Sequence, residues 1–156
     1  MYIRVQKAEQ EVASLDNIIF ERVYDNSFFI VKVTVNSKNI RATIDELFMD
    51  NSRLLELSTA LTSLPFPMQE DNTFYWEYSS HRIAEKELSF RITQMNKLGH
   101  MLVEVKMLIE DESMGEKHQC CFFIKTEIGL LNAFGKRLIS LNELPHGIKI
   151  ALVDSE

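Results

Sequence analysis

The stretch that decides the fold runs from Lys86 to Leu138: ELSFRITQM (Glu87 to Met95), HMLVEVKMLI (His100 to Ile109), HQCCFFIK (His118 to Lys125) and EIGLLNAFGKRL (Glu127 to Leu138). Leu88, Phe90 and Ile92 alternate with Ser89, Arg91 and Thr93; Met101, Val103, Val105, Met107 and Ile109 alternate with Leu102, Glu104, Lys106 and Leu108. Successive side chains of a strand point to opposite faces, so this period predicts two strands that each bury one face. Asn96-Lys97-Leu98-Gly99 reads as the hairpin turn between them, its glycine free to take positive φ. The third segment is apolar at consecutive positions from Cys120 to Ile124, which predicts an interior strand covered on both faces. The fourth puts Ile128, Leu131, Phe134 and Leu138 on one side of a helix capped by Thr126. Strands feeding one helix are the smallest unit that buries a core.

Outward from this unit, Met1 to Val5 reads as an edge strand and Gln6 to Leu15 as helical or irregular. Ile18 to Val23 and Phe28 to Val35 form a hairpin across Tyr24-Asp25-Asn26-Ser27, with Phe29, Val31, Val33 and Val35 on its buried face. After a turn at Asn36-Ser37-Lys38-Asn39, Ile40 to Ala42 returns as a short strand. Thr43-Ile44-Asp45-Glu46 has the form of a capping box, predicting a helix that carries Ile44, Leu47, Phe48, Leu54, Leu55 and Leu61. That helix is either continuous or capped anew at Asp50-Asn51-Ser52, and Pro65 and Pro67 end it. Asn72 to Tyr78 is an aromatic strand. Pro145-His146-Gly147 is a turn before a last strand, Ile148 to Val153. With no internal repeat or linker, residues 1–156 are expected to form one α+β domain, a mainly antiparallel curved sheet with two main helices packed on one face.

The chain carries 17 Lys and Arg against 23 Asp and Glu, a net charge of -6. Such a field repels nucleic acid and anionic membrane, so neither is expected as a partner. The only cysteines, Cys120 and Cys121, are adjacent and point to opposite strand faces, so they cannot staple a secreted scaffold. Met1 to Leu15 lacks the apolar core of a signal peptide, and no run reaches membrane-span length, so a cytoplasmic location is expected.

No cluster announces a chemistry. The histidines His81, His100, His118 and His146 are scattered, and His118 with Cys120 and Cys121 falls short of a zinc ligand set, so no metal or other cofactor is expected. Cys120 and Cys121 lie in the most apolar strand, which favours packing over nucleophilic use. Glu110, Asp111, Glu112 and Glu116 crowd a hairpin loop, read either as a solvated turn or as an acidic rim that steers a basic partner. Phosphate loops and serine elbows are missing, so an enzyme reading has no support. In Phe74-Tyr75-Trp76-Glu77-Tyr78, core packing competes with a role as interface anchor.

The order of elements carries a resemblance. An aromatic strand, an alternating strand, a turn ending in Gly99-His100, the strand MLVEVKMLIE, a polar loop, then CCFFIK running into a helix with Leu131 and Phe134 resembles small immunity proteins of bacterial polymorphic toxin systems. These include the ones paired with wall-associated contact-dependent toxins. The resemblance spans about Ile40 to Leu141 and implies a compact α+β domain that binds a cognate toxin in the cytoplasm and blocks its active site, without catalytic residues of its own. Glu110, Asp111, Glu112 and Glu116 are then the candidate partner-binding residues. The competing expectation is a small-molecule or lipid-binding module with an apolar cavity between sheet and helices, lined by Phe90, Met101, Met107 and Phe134.

Overall fold

The alternating segments pair as antiparallel strands in the computed structural model, which describes residues 16–24, 28–38, 40–65, 73–82 and 84–154 and the backbone of 3–7. In chain order the elements are β1 (Ile3–Lys7), β2 (Asn17–Arg22), β3 (Ile30–Ser37), β4 (Ile40–Phe48) and α1 (Asn51–Thr62), then β5 (Thr73–Ser80), β6 (Glu85–Gln94), β7 (His100–Asp111), β8 (Glu116–Glu127), α2 (Ile128–Leu138) and β9 (Lys149–Ala151). The fold is α+β. Its strands divide between a five-stranded sheet ordered β1-β4-β3-β2-β9 and a four-stranded sheet ordered β5-β6-β7-β8. Of the segment expected to be helical or irregular, Gln6 and Lys7 belong to β1 and residues 8–15 lie outside the described residues; so do turn residues Asp25, Asn26 and Ser27, and Pro67.

The two sheets face each other across one core. Phe20 of β2 stacks on Phe90 of β6 with ring centroids 6.2 Å apart, and Phe134 of α2 meets Phe20 edge-on at 5.9 Å. Val31, Val33, Val35, Ala42 and Ile44 supply the five-stranded side, and Leu88, Val103, Val105 and Met107 the other. Buried aliphatic and aromatic side chains contribute about 1.5–3 kcal/mol each, so this layer dominates stability. Phe90, Met107 and Phe134 belong to that packed core.

Three local expectations give way to pairing. The capping-box residues Thr43 to Glu46 are strand, because β4 pairs with β3 on one side and with β1 on the other, Ile44 lying opposite both Val33 and Ile3. The Thr43 hydroxyl lies 3.3 Å from that of Thr34 instead of capping a helix. Asp50 caps α1: its Oδ1 accepts from the Ser52 amide at 2.9 Å and the Ser52 hydroxyl at 2.8 Å. Helix α2 has Glu127 at the cap position with no side-chain bond, because Thr126 stays paired with Met101 in the ladder. Finally, among the described residues β8 has a strand neighbour only on the β7 side within the sheet, and one of its faces is open: Cys121, Phe123 and Lys125 are exposed while Phe122 and Ile124 are buried.

Each sheet contributes a three-strand meander running straight into a helix, β2-β3-β4-α1 and β6-β7-β8-α2, and the two helices pack on each other. The approach is close because α2 presents a glycine. A Cβ on Gly135 would lie 2.7 Å from Leu61 Cβ and 3.0 Å from the Ser58 carbonyl oxygen. The Ser58 hydroxyl donates to the Gly135 carbonyl at 2.5 Å, and the Asn132 amide donates to the Leu61 carbonyl at 2.6 Å.

At the far end of β4 the sheets are joined by polar clasps. The Tyr78 hydroxyl donates to the Phe48 carbonyl at 2.6 Å, and buried Lys86 donates to the Glu46 carbonyl. Burial holds the Lys86 ammonium below its ordinary value, with Glu46 and Asp45 opposing the shift. Between the lowered folded value and the ordinary one, the unfolded chain binds more protons than the folded one, so this residue makes stability rise with pH there.

The helix contact and the lysine clasp each set an expected outcome. Gly135→Ala destabilises by about 1–3 kcal/mol, since forced overlap outweighs a helix-propensity gain of about 1 kcal/mol. Gly129→Ala, whose Cβ meets nothing within 4 Å, leaves stability equal or higher; urea unfolding of both variants checks the pair. Urea midpoints measured as the pH rises toward the ordinary lysine value of 10.5 climb more steeply for the wild type than for Lys86→Met, and parallel slopes would contradict an origin of the pH dependence in Lys86.

Candidate functional site

Strand alternation turns the outward side chains of β5 to β8 into a second ordered surface. Across the sheet the register aligns Tyr75, Arg91, Glu104 and Phe123 in one row and Glu77, Ser89, Lys106 and Cys121 in the next. A third row holds Ser79, Glu87, Leu108 and Gln119. Tyr75 and Phe123 are 56% and 55% exposed, so aromatic groups flank a row of opposite charges that is open to solvent.

A depression of about 270 Å3 sinks into this face between Tyr75, Glu77, Glu87, Lys106 and Lys117, with Ser89 and Leu108 also lining it. The Tyr75 hydroxyl donates to Glu77 Oε2 at 2.8 Å, a bond that raises the phenol above its ordinary pKa. Lys106 Nζ lies 3.5 Å from Glu104 Oε1, and the same oxygen is 3.7 Å from the Cys121 thiol. Both signs of charge are present within a few ångströms. The depression therefore suits polar groups of either sign.

The acidic hairpin lies at one end of the same sheet, but its four carboxylates do different things. Glu110 is opposite Lys117, on the outward face, one register step beyond the depression. The Asp111 carboxylate is committed to its own turn, accepting from the Ser113 hydroxyl at 2.6 Å and from the Ser113 amide at 3.1 Å, bonds that lower its pKa. Glu112 is exposed at the tip, where Gly115 closes the turn at φ 66°. Glu116 points away from the outward face, with its Oε2 3.9 Å from His118 Nε2. Glu110 is thus the member positioned on the open face, with Glu112 exposed at the hairpin tip beyond it.

Among the described residues, no three His, Cys, Asp or Glu side chains converge as metal ligands. His81 lies 3.8 Å from Glu85 and His100 sits 2.8 Å from the Asn96 amide, each at a separate turn or strand end. Cys120 points inward, and burial followed by the neighbouring Cys121 pushes its thiol up to about 11. Cys121 points outward; burial and then the Glu104 carboxylate raise it as well. Trp76 faces inward, donating from Nε1 to the Arg53 carbonyl at 3.1 Å, and Tyr75 is the exposed aromatic residue of the run.

The outward face was readable in part. Ser89, Arg91, Glu104 and Lys106 mark it by their polarity, whereas consecutive apolar residues in β8 concealed Phe123. In a Cys120→Ser background, Glu104→Gln is expected to speed alkylation of Cys121 by iodoacetamide near pH 8, because the carboxylate that disfavours the thiolate is gone. Equal rates would separate Glu104 from Cys121.

Among the described residues no helix is long and apolar enough to cross a membrane. Compared with protein-family models, curated proteins and solved structures, the chain matches none.

Proposed function

We propose that this chain is a non-enzymatic immunity protein that holds a cognate toxin domain against the outward face of its four-stranded sheet, in the cytoplasm. The observation that carries the reading is the open face itself: exposed Tyr75 and Phe123 flank a row of charged residues above a polar depression. Interfaces use aromatic anchors beside pockets, with a charged surround that selects the partner. Glu110 and Glu112 extend that surround at the hairpin, and the net charge of -6 favours a basic partner. The resemblance in element order supplies the class of partner, and the shape of the face supplies the contact.

The test is co-expression with the toxin domain encoded beside the gene. Wild type is expected to restore growth and to co-elute with the toxin on gel filtration. Tyr75→Ala combined with Phe123→Ala is expected to abolish both, with a stability change within about 0.5 kcal/mol, as for exposed positions generally. Neither protection nor a complex with the wild type would sink the immunity reading. Full protection by the double variant would move the contact elsewhere.

A further inference from the structure

Each meander runs into its helix through a last strand, β4 into α1 and β8 into α2, but the two last strands are flanked differently. In the five-stranded sheet, β1 pairs antiparallel with β4, from Ile3 opposite Ile44 to Lys7 opposite Ile40. In the four-stranded sheet the corresponding side of β8 has no strand beside it among the described residues. This open edge is long and regular: β8 runs for 12 residues, Glu116–Glu127, without a proline, and keeps one register with β7 throughout. Natural edge strands are commonly short, bulged, broken by proline or covered, because a long regular edge is a template for another strand.

Register shows which groups the edge offers. The Met95 amide donates to the His100 carbonyl at 2.8 Å and the Ile128 amide to the Gly99 carbonyl at 3.0 Å, so even-numbered residues of β7 bond β6 and odd-numbered ones bond β8. Backbone groups alternate sides along an antiparallel strand. In β8 the even-numbered residues from Glu116 to Thr126 are therefore taken up by β7, and the amides and carbonyls of Lys117, Gln119, Cys121, Phe123 and Lys125 point to the open side. All five of these residues are exposed, as is Glu127.

The side chains choose the occupant. Laid antiparallel against a second β8 about Phe122, the strand complements itself: Cys120 falls opposite Ile124, Cys121 opposite Phe123, and Lys117 opposite Glu127, with inward residues meeting inward ones. Neither Lys117 nor Glu127 has an ion pair within the chain among the described residues. The neighbouring symmetric registers lose this match. Centred on Cys121, Lys117 would face Lys125 twice, and like charges directly opposite are unfavourable; centred on Phe123, Lys117 would fall past the strand, opposite Gly129. We propose that this chain forms a twofold dimer by antiparallel pairing of β8 with β8 of a second copy about Phe122, joining two four-stranded sheets into one of eight strands. Edge pairing uses backbone groups and leaves the outward side chains of β5 to β7 uncovered, so the proposal stands independently of the toxin-binding reading.

The test is sedimentation equilibrium of the full chain over a concentration series, with a thiol reductant present so that no disulfide through Cys121 counts as association. Wild type is expected to form a reversible dimer. Lys117→Glu and Glu127→Lys each set like charges opposite one another at both symmetric positions, and each is expected to weaken the dimer about tenfold. Mixed in equal amounts, the two variants are expected to recover wild-type association, since each then meets the complementary charge of the other. Both positions are exposed, and thermal midpoints of the variants check that the fold is kept. A monomer at every concentration, a dimer that both variants leave unchanged, or weakened variants that fail to recover on mixing would overturn the proposal.

Discussion

Two helices meet at a distance that only glycine allows, and the arrangement of both sheets depends on it. At Gly135 the space a methyl group would occupy already holds Leu61 Cβ and the Ser58 carbonyl. The same closeness brings the Ser58 hydroxyl and the Asn132 amide within bonding distance of backbone carbonyls on the opposite helix. The Ser58 hydroxyl is buried and would otherwise lack a partner, a deficit worth about 1–3 kcal/mol. Since α1 continues from β4 and α2 from β8, joining the helices also fixes the two meanders relative to each other. The aromatic cluster of Phe20, Phe90 and Phe134 then fills the space between them.

That arrangement decides which surfaces are left over. The inward faces of both sheets are consumed by the core, and the clasps from Tyr78 and Lys86 to the end of β4 close it at one side. A buried lysine in this setting serves a strand-end carbonyl. The outward face of β5 to β8 and the groove at the start of α2 remain accessible, and they differ in character. One is a broad polar surface with aromatic flanks; the other sets Met95, Met101, Leu130 and Val153 beside the charged side chains of Asp16, Lys125 and Glu127.

The sequence was most legible where one face is buried and the other wet. Leu88 to Ile92 and Met101 to Ile109 announce β6 and β7, and Gly99 takes φ 91° at the turn between them. Local signals misled where long-range pairing competed with them. Thr43 to Glu46 matches a helix cap, yet backbone pairing to β1 and β3 on both sides outweighs two capping bonds. Consecutive apolar residues from Cys120 to Ile124 suggested cover on both faces, and the division of the strands between two sheets, which no periodicity records, leaves one face of β8 open. That Thr126 would not cap α2 was invisible for a similar reason: β8 stays paired to its last residue, Glu127. Of the acidic loop, the sequence located the carboxylates; only the register and the Asp111 turn distinguish Glu110 and Glu112 from the others.

If the helix contact ties the two meanders into one unit, native-state hydrogen exchange should report it directly. Amides of Leu57 to Leu61 in α1 and of Leu131 to Gly135 in α2 should exchange only through global unfolding, with the same opening free energy and denaturant dependence as the central strands β3 and β7. Independent opening of either helix at a much lower free energy, while both sheets stay protected, would contradict the central role assigned to Gly135.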